Sequence, residues 1–349
     1  MTHEFKEIIQ TYWVAKQQGI PAVMATVVDV EGSSYRRPGV GMLILENGKA
    51  VGAVSGGCVE KEVLRQAQSV FESGIPKIMT YDGKYRLGCE GLLYILIERL
   101  DIENVVIEHI QEHLTCRVPF TLTSFYTKNS QKDCNIGSLI VFENGQEFTF
   151  NYATDLKIND DVLLNFSREM KPCFRLIIIG SEHDATQLCR LASSTGWEVE
   201  VVCSEKSTMQ LEDFPGANKL ISSSPEDLQL PNVDDQTAVI LMTHNFARDL
   251  LYLQSIRNLQ PIYIGLLGPA RRREKLLSAF IEYHPDVNDE FIDCIHGPAG
   301  LNLGAETPQE IAISIIAEIL SVIRNQNPIP LQDKKGAIHD DVNRKSIHV

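Results

Sequence analysis

The stretch SGGCVEKEV (residues 55–63) sets two glycines before a lone cysteine where a loop turns into a helix. A thiol in the first turn of a helix can have its pKa drawn from roughly 8.5 toward neutrality, which raises its thiolate fraction. Cys58 is therefore open to three readings: a nucleophile, a ligand for a soft metal or for sulfur, or a small buried residue. Glu60, two residues on, opposes the shift in part. Cys89 in RLGCEG (86–91) is the natural second thiol, its glycines marking a tight turn where backbone approaches something closely. Sequence separation says nothing about whether the two thiols share one site.

Two further stretches carry charge. In GLLGPARRRE (265–274) a proline marks a helix start, and Arg271, Arg272 and Arg273 fall in its first turn. Cations there oppose the macrodipole at roughly 0.3–1 kcal/mol each. A bound phosphate would compensate, because a helix N-terminus favours anions; salt bridges to the acid-rich remainder of the chain would also do so. Thr243-His244-Asn245 leads to Asp249 about a turn into the next helix, where His244 either caps that helix or acts as an acid/base.

The elements that must position these residues divide the chain in two. Residues 1–19 have an amphipathic helix pattern with acidic residues, unlike a signal peptide. PAVMATVVDV (21–30) reads as a strand ended by the turn EGSSYRRPG, and VGMLILENGKAVGAV (40–54) as a hairpin turning at Asn47-Gly48. Helical spacing runs over 58–72, with Gly74 just past its end. Short strands follow at 77–81 and 92–99, and 118–153 alternates around a second Asn-Gly turn at 144–145. The pattern predicts an α+β N-terminal domain (1–155) with antiparallel strands, followed by a polar linker (156–172).

From 173 to 325 the pattern changes to short apolar runs separated mostly by helical stretches: FRLIIIG, EVEVVC, AVILMT, PIYIGL and FIDCIHG. That alternation predicts an α/β, Rossmann-like, doubly wound parallel sheet. Its last helix opens on Thr307-Pro308-Gln309-Glu310, a capping box with proline at the first helical position. Residues 326–349 form a polar tail.

A dinucleotide fingerprint needs G-x-G-x-x-G after the first strand, so that backbone amides can approach a pyrophosphate. Here the run is Gly180-Ser181-Glu182-His183-Asp184-Ala185, which keeps only the first glycine and adds two acids where phosphate would sit. After the second strand the only candidate to hold a ribose is Glu205. The fold expectation survives; nicotinamide binding does not.

The 349 residues carry 32 basic and 46 acidic side chains, a net charge of −14 that argues against broad nucleic-acid binding or an anionic membrane surface. No apolar run reaches the length of a membrane span. The eight cysteines are scattered singly with no C-x-x-C pair, so neither a zinc knuckle nor a thioredoxin-type site is signalled, and reduced thiols in a cytoplasm are the simplest reading.

Four stretches taken together resemble one family, the xanthine dehydrogenase accessory factors (XdhC/CoxI): GSSYRRPG (32–39), GAVSGGCVEKEV (52–63), YIGLLGPARRREKL (263–276) and HGPAGLNLGAETPQEIAISIIAEI (296–319). The sequence departs from the family pattern at Tyr35, Glu90, Ser181 and Cys203, and the last two put a nucleotide-tail pocket of the usual kind in doubt. The resemblance implies a dimeric cytoplasmic chaperone, not itself a dehydrogenase. It would hold the molybdenum cofactor (molybdopterin) transiently for sulfuration and insert it into a molybdenum hydroxylase client, with a cysteine desulfurase as a further partner.

Such a carrier needs cations and amides for the cofactor's phosphate and a soft contact for its metal or sulfur. Ser33, Ser34, Arg36 and Arg37, with the Ser55, Gly56 and Gly57 amides, supply the first; Cys58, as a molybdenum or sulfur contact, and Cys89 supply the second. In the second domain His244, Arg271, Arg272 and Arg273 are the cofactor-facing candidates. Two alternatives stand beside this reading: an NAD(P)- or nucleotide-dependent oxidoreductase using His244, and a persulfide relay through Cys58.

Overall fold

The computed structural model describes residues 2–32, 37–55, 57–82, 91–128, 136–153, 156 and 163–335, with the side chain of Cys58 outside that description. The chain forms two compact units, Met1–Pro172 and Cys173–Val349.

The first unit runs α1 (Thr2–Gln17), β1 (Ala22–Glu31), β2 (Gly41–Leu45), β3 (Ala50–Gly52), α2 (Cys58–Ser73), β4 (Lys77–Asp82), β5 (Leu92–Leu100), α3 (Asn104–Cys116), β6 (Phe120–Tyr126), β7 (Gly137–Phe142), β8 (Glu147–Thr149) and β9 (Leu164–Met170). Two antiparallel sheets result, ordered β3-β2-β1-β5-β4 and β8-β7-β6-β9. β1 and β5 read as nearly unbroken apolar runs because both their faces are covered. On one face α2 buries Val59, Val63, Ala67 and Val70, worth about 1.5–3 kcal/mol for each valine. On the other face α1 and α3 share a core with Phe120, Phe142 and Phe150. Gly74 ends α2 in the left-handed conformation, its amide returning to Val70.

Two elements here differ from the sequence expectation. Helix α3 carries a buried stripe, Val106, Ile107, Ile110 and Leu114, in a stretch with no strong start signal: its cap position is Glu103, which makes no capping bond through its side chain. Strand β9 lies inside the expected linker and pairs with β6 from Tyr126↔Leu164 to Phe120↔Met170. It is an edge strand, and edges carry polar side chains that blunt further pairing, so its composition reads as linker.

The second unit runs β10 (Arg175–Ile179), α4 (His183–Ser194), β11 (Glu198–Cys203), β12 (Lys219–Ser222), β13 (Thr237–Leu241), α5 (Phe246–Ser255), β14 (Tyr263–Leu266), α6 (Ala270–Tyr283), α7 (Asp289–Asp293), β15 (Ile295–His296) and α8 (Pro308–Ile323). All six strands are parallel, ordered β12-β11-β10-β13-β14-β15. This is the dinucleotide-fold order, whose direction reverses between β10 and β13. α4 and α8 cover one face, and α5, α6 and α7 the other. The capping box of α8 forms as its sequence requires: Thr307 accepts from the Glu310 amide while the Glu310 carboxylate accepts from the Thr307 amide. FIDCIHG, expected as one strand, begins with the last three residues of α7, because Asn288 accepts the Glu290 amide and starts a helix; only Ile295–His296 extend the sheet. β12 is a short, half-buried strand that the sequence pattern did not single out. Among the described residues no helix is long and apolar enough to cross a membrane.

Candidate functional site

In the second unit the ligand-binding position of this topology is the crevice between the loops after β10 and β13. Gly180 has φ +146°, and a Cβ there would stand 2.5 Å from the Met242 carbonyl oxygen, so the two loops cross at a distance only glycine allows. The next residues are Ser181 and then Glu182, the N-cap of α4, with Asp184 in the first turn. Asp184 Oδ2 meets His244 Nε2 at 3.3 Å across the crevice. The chain's own carboxylates therefore complement the α4 N-terminus where a pyrophosphate would otherwise bind. Glu205, the expected ribose partner, is exposed in the loop after β11, and the buried Cys203 places Sγ 3.3 Å from Ser222 Oγ.

His244 does not cap α5. Asn245 does, accepting the Arg248 amide at 3.1 Å, while His244 takes the left-handed conformation (φ +56°) that turns its ring toward Asp184. Asp249, 1 % exposed, accepts from the Thr243 hydroxyl at 2.6 Å and the Thr243 amide at 3.2 Å, and its other oxygen accepts from Arg272 Nη2 at 2.7 Å. Arg272 Nη1 donates to the Leu267 carbonyl at 2.7 Å.

This corrects the expectation that three arginines face an anion together. Arg272 is a strut tying α5 to the loop before α6, Arg271 is exposed, and Arg273 packs its stem against Gly297 with its buried Nε–H lacking a hydrogen-bond partner.

The motif HGPAGLNLGAETPQEIAISIIAEI is built as a latch. Glu318 on α8 accepts from the buried Tyr263 hydroxyl at 2.5 Å and from the Gly300 amide at 2.7 Å, and lies 3.4 Å from His296 Nδ1. His296 stacks on the Tyr263 ring at 4.4 Å. Burial raises the Glu318 pKa, but the donors His296, Tyr263 and Gly300 outweigh it and hold the carboxyl below its ordinary value. Ser314 completes the latch by donating to the Leu301 carbonyl at 2.5 Å.

In the first unit, Glu60 is the third residue of α2 and reaches back over the helix start. Its carboxylate accepts the Ser55 amide at 2.7 Å, the Ser55 hydroxyl at 3.0 Å and the Gly57 amide at 2.7 Å. Burial raises its pKa, and these donors with its own amide more than reverse the effect. The expectation that the Ser55 and Gly57 amides receive a phosphate is thereby corrected: the chain's own carboxylate occupies them. Cys58 is the first helical residue. Ser33, Ser34, Arg36, Gly56 and Cys89 lie outside the described residues.

Arg37 is exposed. Just beyond it, Gly39 donates to Val27 O at 2.7 Å, Val27 donates to Val40 O at 3.0 Å, and Arg168 Nη1 donates to Gly39 O at 2.9 Å, closing the neck of the GSSYRRPG loop. A cavity of about 40 Å³ opens beside Gly39, lined by Thr26, Ser124, Ser138 and Arg168 among apolar side chains. It has room for a few waters and is far smaller than a cofactor pocket.

Two groups of this unit escape sequence reasoning. Lys128, Asp29, Glu31, Tyr94 and Tyr126 form one cluster near the ends of β1 and β6 and the start of β5. Glu98, 3 % exposed on β5, accepts the Ser138 amide at 2.9 Å through one oxygen and leaves the other without a partner. The one signal for Glu98 is an acid inside the apolar run LLYILIERL. Among the described residues there is no group of three or more metal-ligating side chains.

Against known proteins, a family model described as "XdhC and CoxI family" matches residues 15–82 and one described as "XdhC Rossmann domain" matches residues 176–319. The chain is 30% identical over 319 residues to a Bacillus subtilis protein described as a probable subunit of xanthine dehydrogenase, covering 86% of this chain and 92% of the relative. It is 27% identical over 331 residues to the "Molybdenum cofactor insertion chaperone PaoD" of Escherichia coli, covering 93% and 91%. The crystal structure of a protein described as a xanthine dehydrogenase from Bacillus halodurans superposes with a TM-score of 0.76 at 27% identity, covering 93% of this chain and 98% of the other.

Proposed function

We propose, from the premise that this chain belongs to the XdhC and CoxI family, that it holds the molybdenum cofactor as cargo and delivers it to a molybdenum hydroxylase of the xanthine dehydrogenase type. The observation that carries the reading is the extent of the likeness to a molybdenum cofactor insertion chaperone, which runs through both units. The crevice of the second unit supports it from the other side. Asp184 paired with His244 and the acid Glu182 leave an environment hostile to a pyrophosphate, which disfavours a nicotinamide-dependent reaction.

In this reading the cargo is bound transiently. Arg36 and Arg37 take its phosphate, because guanidinium forks match phosphate oxygens and the Ser55 and Gly57 amides are engaged by Glu60. Cys58 and Cys89 offer thiolates to the soft end of the cofactor. In the second unit, considered by itself, Arg272 is engaged by Asp249, which leaves Arg271 and Arg273 as the candidate anion contacts there. A homodimer in the cytoplasm, receiving sulfur from a cysteine desulfurase while the cargo is held, completes the proposal.

The test is a titration of the purified protein with molybdenum cofactor released from a molybdenum hydroxylase, together with activation of a cofactor-free client. Wild type binds and activates; the double variant Arg36→Ala/Arg37→Ala and the variant Cys58→Ser each bind more weakly. Wild type that neither binds nor activates removes the function, and variants indistinguishable from wild type remove the site.

A further inference from the structure

After its capping carboxylate, α8 reads IAISIIAEILSVI (residues 311–323), with Glu318 as the one charged side chain. That carboxylate is turned inward, onto the Tyr263 hydroxyl and the Gly300 amide. Ala312, Ile315, Ile316 and Ile319 are buried in the core that α8 shares with α4. The opposite face is Ile313, Ala317 and Leu320, at i, i+4 and i+7, with Ile313 51 % and Leu320 37 % exposed.

Other helices of the chain place charge where they meet water: Lys61 and Arg65 on α2, Glu274, Lys275 and Glu282 on α6. A helix that is apolar all round is one covered on all sides, and α8 is covered on one. An apolar patch rimmed by polar residues marks an interaction surface.

The outer face carries charge only at its ends. Exposed Glu310 lies a turn before Ile313, and exposed Arg324 a turn after Leu320. The series Glu310, Ile313, Ala317, Leu320, Arg324 is matched with itself when reversed, apolar facing apolar and acid facing base, about a midpoint at Ala317. A surface complementary to its own copy turned end for end meets the requirement of an isologous two-fold contact. Alanine at the midpoint lets two helices approach to about 8 Å, the close end of helix packing. An antiparallel pair also sets the positive end of each helix dipole beside the negative end of the other.

We propose that a second copy of this chain docks on the outer face of α8. The two α8 helices pack antiparallel across a two-fold axis at Ala317, with Ile313 against the partner subunit's Leu320 and Glu310 beside the partner subunit's Arg324. Ile329 and Leu331, exposed past the helix end, add apolar area to the contact. The proposal rests on the preceding reading for the homodimer alone, to which it assigns a surface.

Sedimentation of the full-length chain tests it without cargo. Wild type is expected to be dimeric at about 10 µM. Ile313→Glu/Leu320→Glu should raise the dissociation constant about a hundredfold, the scale of losing a central apolar cluster. Both positions are exposed in the single chain, so the fold stays in place, which circular dichroism checks.

Ala317→Cys tests the axis. A residue on a two-fold axis meets its own copy, so mild oxidation should link two such chains on a non-reducing gel well beyond wild type, whose exposed Cys116 sets the background. A monomeric wild type, a dimer that the double variant leaves intact, or a dimer that Ala317→Cys does not link overturns the proposal. Wild type that dimerises through α8 yet binds no cofactor overturns the functional reading and leaves this one standing.

Discussion

Glu60 Oε2 accepts the Gly57 amide at 2.7 Å, three residues back along the chain, and in doing so fills the start of helix α2 with the protein's own negative charge. The arrangement is the acidic half of a capping box in which glycine (φ +121°) stands at the cap and has no side chain to reciprocate. Glu60 rather than an external anion thus satisfies the donors on either side of Gly56, and Cys58 begins its helix directly after a carboxylate-capped turn.

Replacing Glu60 with Gln or Ala is expected to destabilise the first unit by about 1 kcal/mol, the ordinary worth of a cap. The effect depends on pH. The folded pKa lies below the unfolded one, so the contribution is present above the unfolded value near 4.5 and fades as pH falls through the folded value. Thermal unfolding of wild type and Glu60→Gln between about pH 3 and 7 checks this, the two curves converging at the acid end.

The second unit is expected not to bind NAD stoichiometrically. Asp184 sits 3.3 Å from His244 in the crevice, and Glu182 places a further carboxylate at the N-cap position of the helix that would otherwise meet the pyrophosphate, without a capping bond through its side chain. Titration calorimetry with NAD⁺ to about 1 mM should show no saturable heat. A one-to-one isotherm would show that the acids move aside and would restore an oxidoreductase reading.

Sequence legibility followed the strength of local signals. Helices α2 and α8 were readable because a buried stripe coincides with a terminal signal, Gly74 in one and Thr307-Pro308 in the other. The parallel sheet was readable because its central strands β10 and β13 are buried on both faces and lack polar alternation. Strand β9 was not, since an edge strand presents polar residues as a linker does. At the site, residue types pointed to the acidic crevice and the arginine triplet. Which arginine is free was hidden, because Asp249 that consumes Arg272 lies 23 residues away. The Lys128 cluster was hidden for the same reason, with 97 residues separating Lys128 from Glu31.

Arg272 and Asp249 form a pair whose carboxylate is almost fully buried. Removing the cation alone strands a charge, so Arg272→Met is expected to cost about 3–5 kcal/mol. The double variant Arg272→Met/Asp249→Asn should recover much of that loss, because Asn retains an oxygen for Thr243 without a charge to compensate. Urea unfolding of the single and double variants measures the coupling. Additive losses would mean that the pair is not the strut described above.

Glu98 provides the pH test of the first unit. Burial lifts its pKa to about 7, with the Ser138 hydroxyl and amide pulling it down only in part, and one carboxylate oxygen has no partner. The unfolded chain ionises this group near 4.5, so between that value and about 7 the folded state binds more protons. Stability contributed by neutral Glu98 is therefore complete below the unfolded pKa and is lost as pH rises through the folded one, at a total cost on the order of 3 kcal/mol. Glu98→Gln keeps the shape and an acceptor for Ser138 while abolishing the titration, so it should flatten the stability curve, gaining on wild type as pH rises from about 4.5 to 7 and keeping that margin at higher pH. Urea midpoints for both proteins from about pH 5 to 9 decide it, and parallel curves would mean that Glu98 finds a compensating partner when ionised.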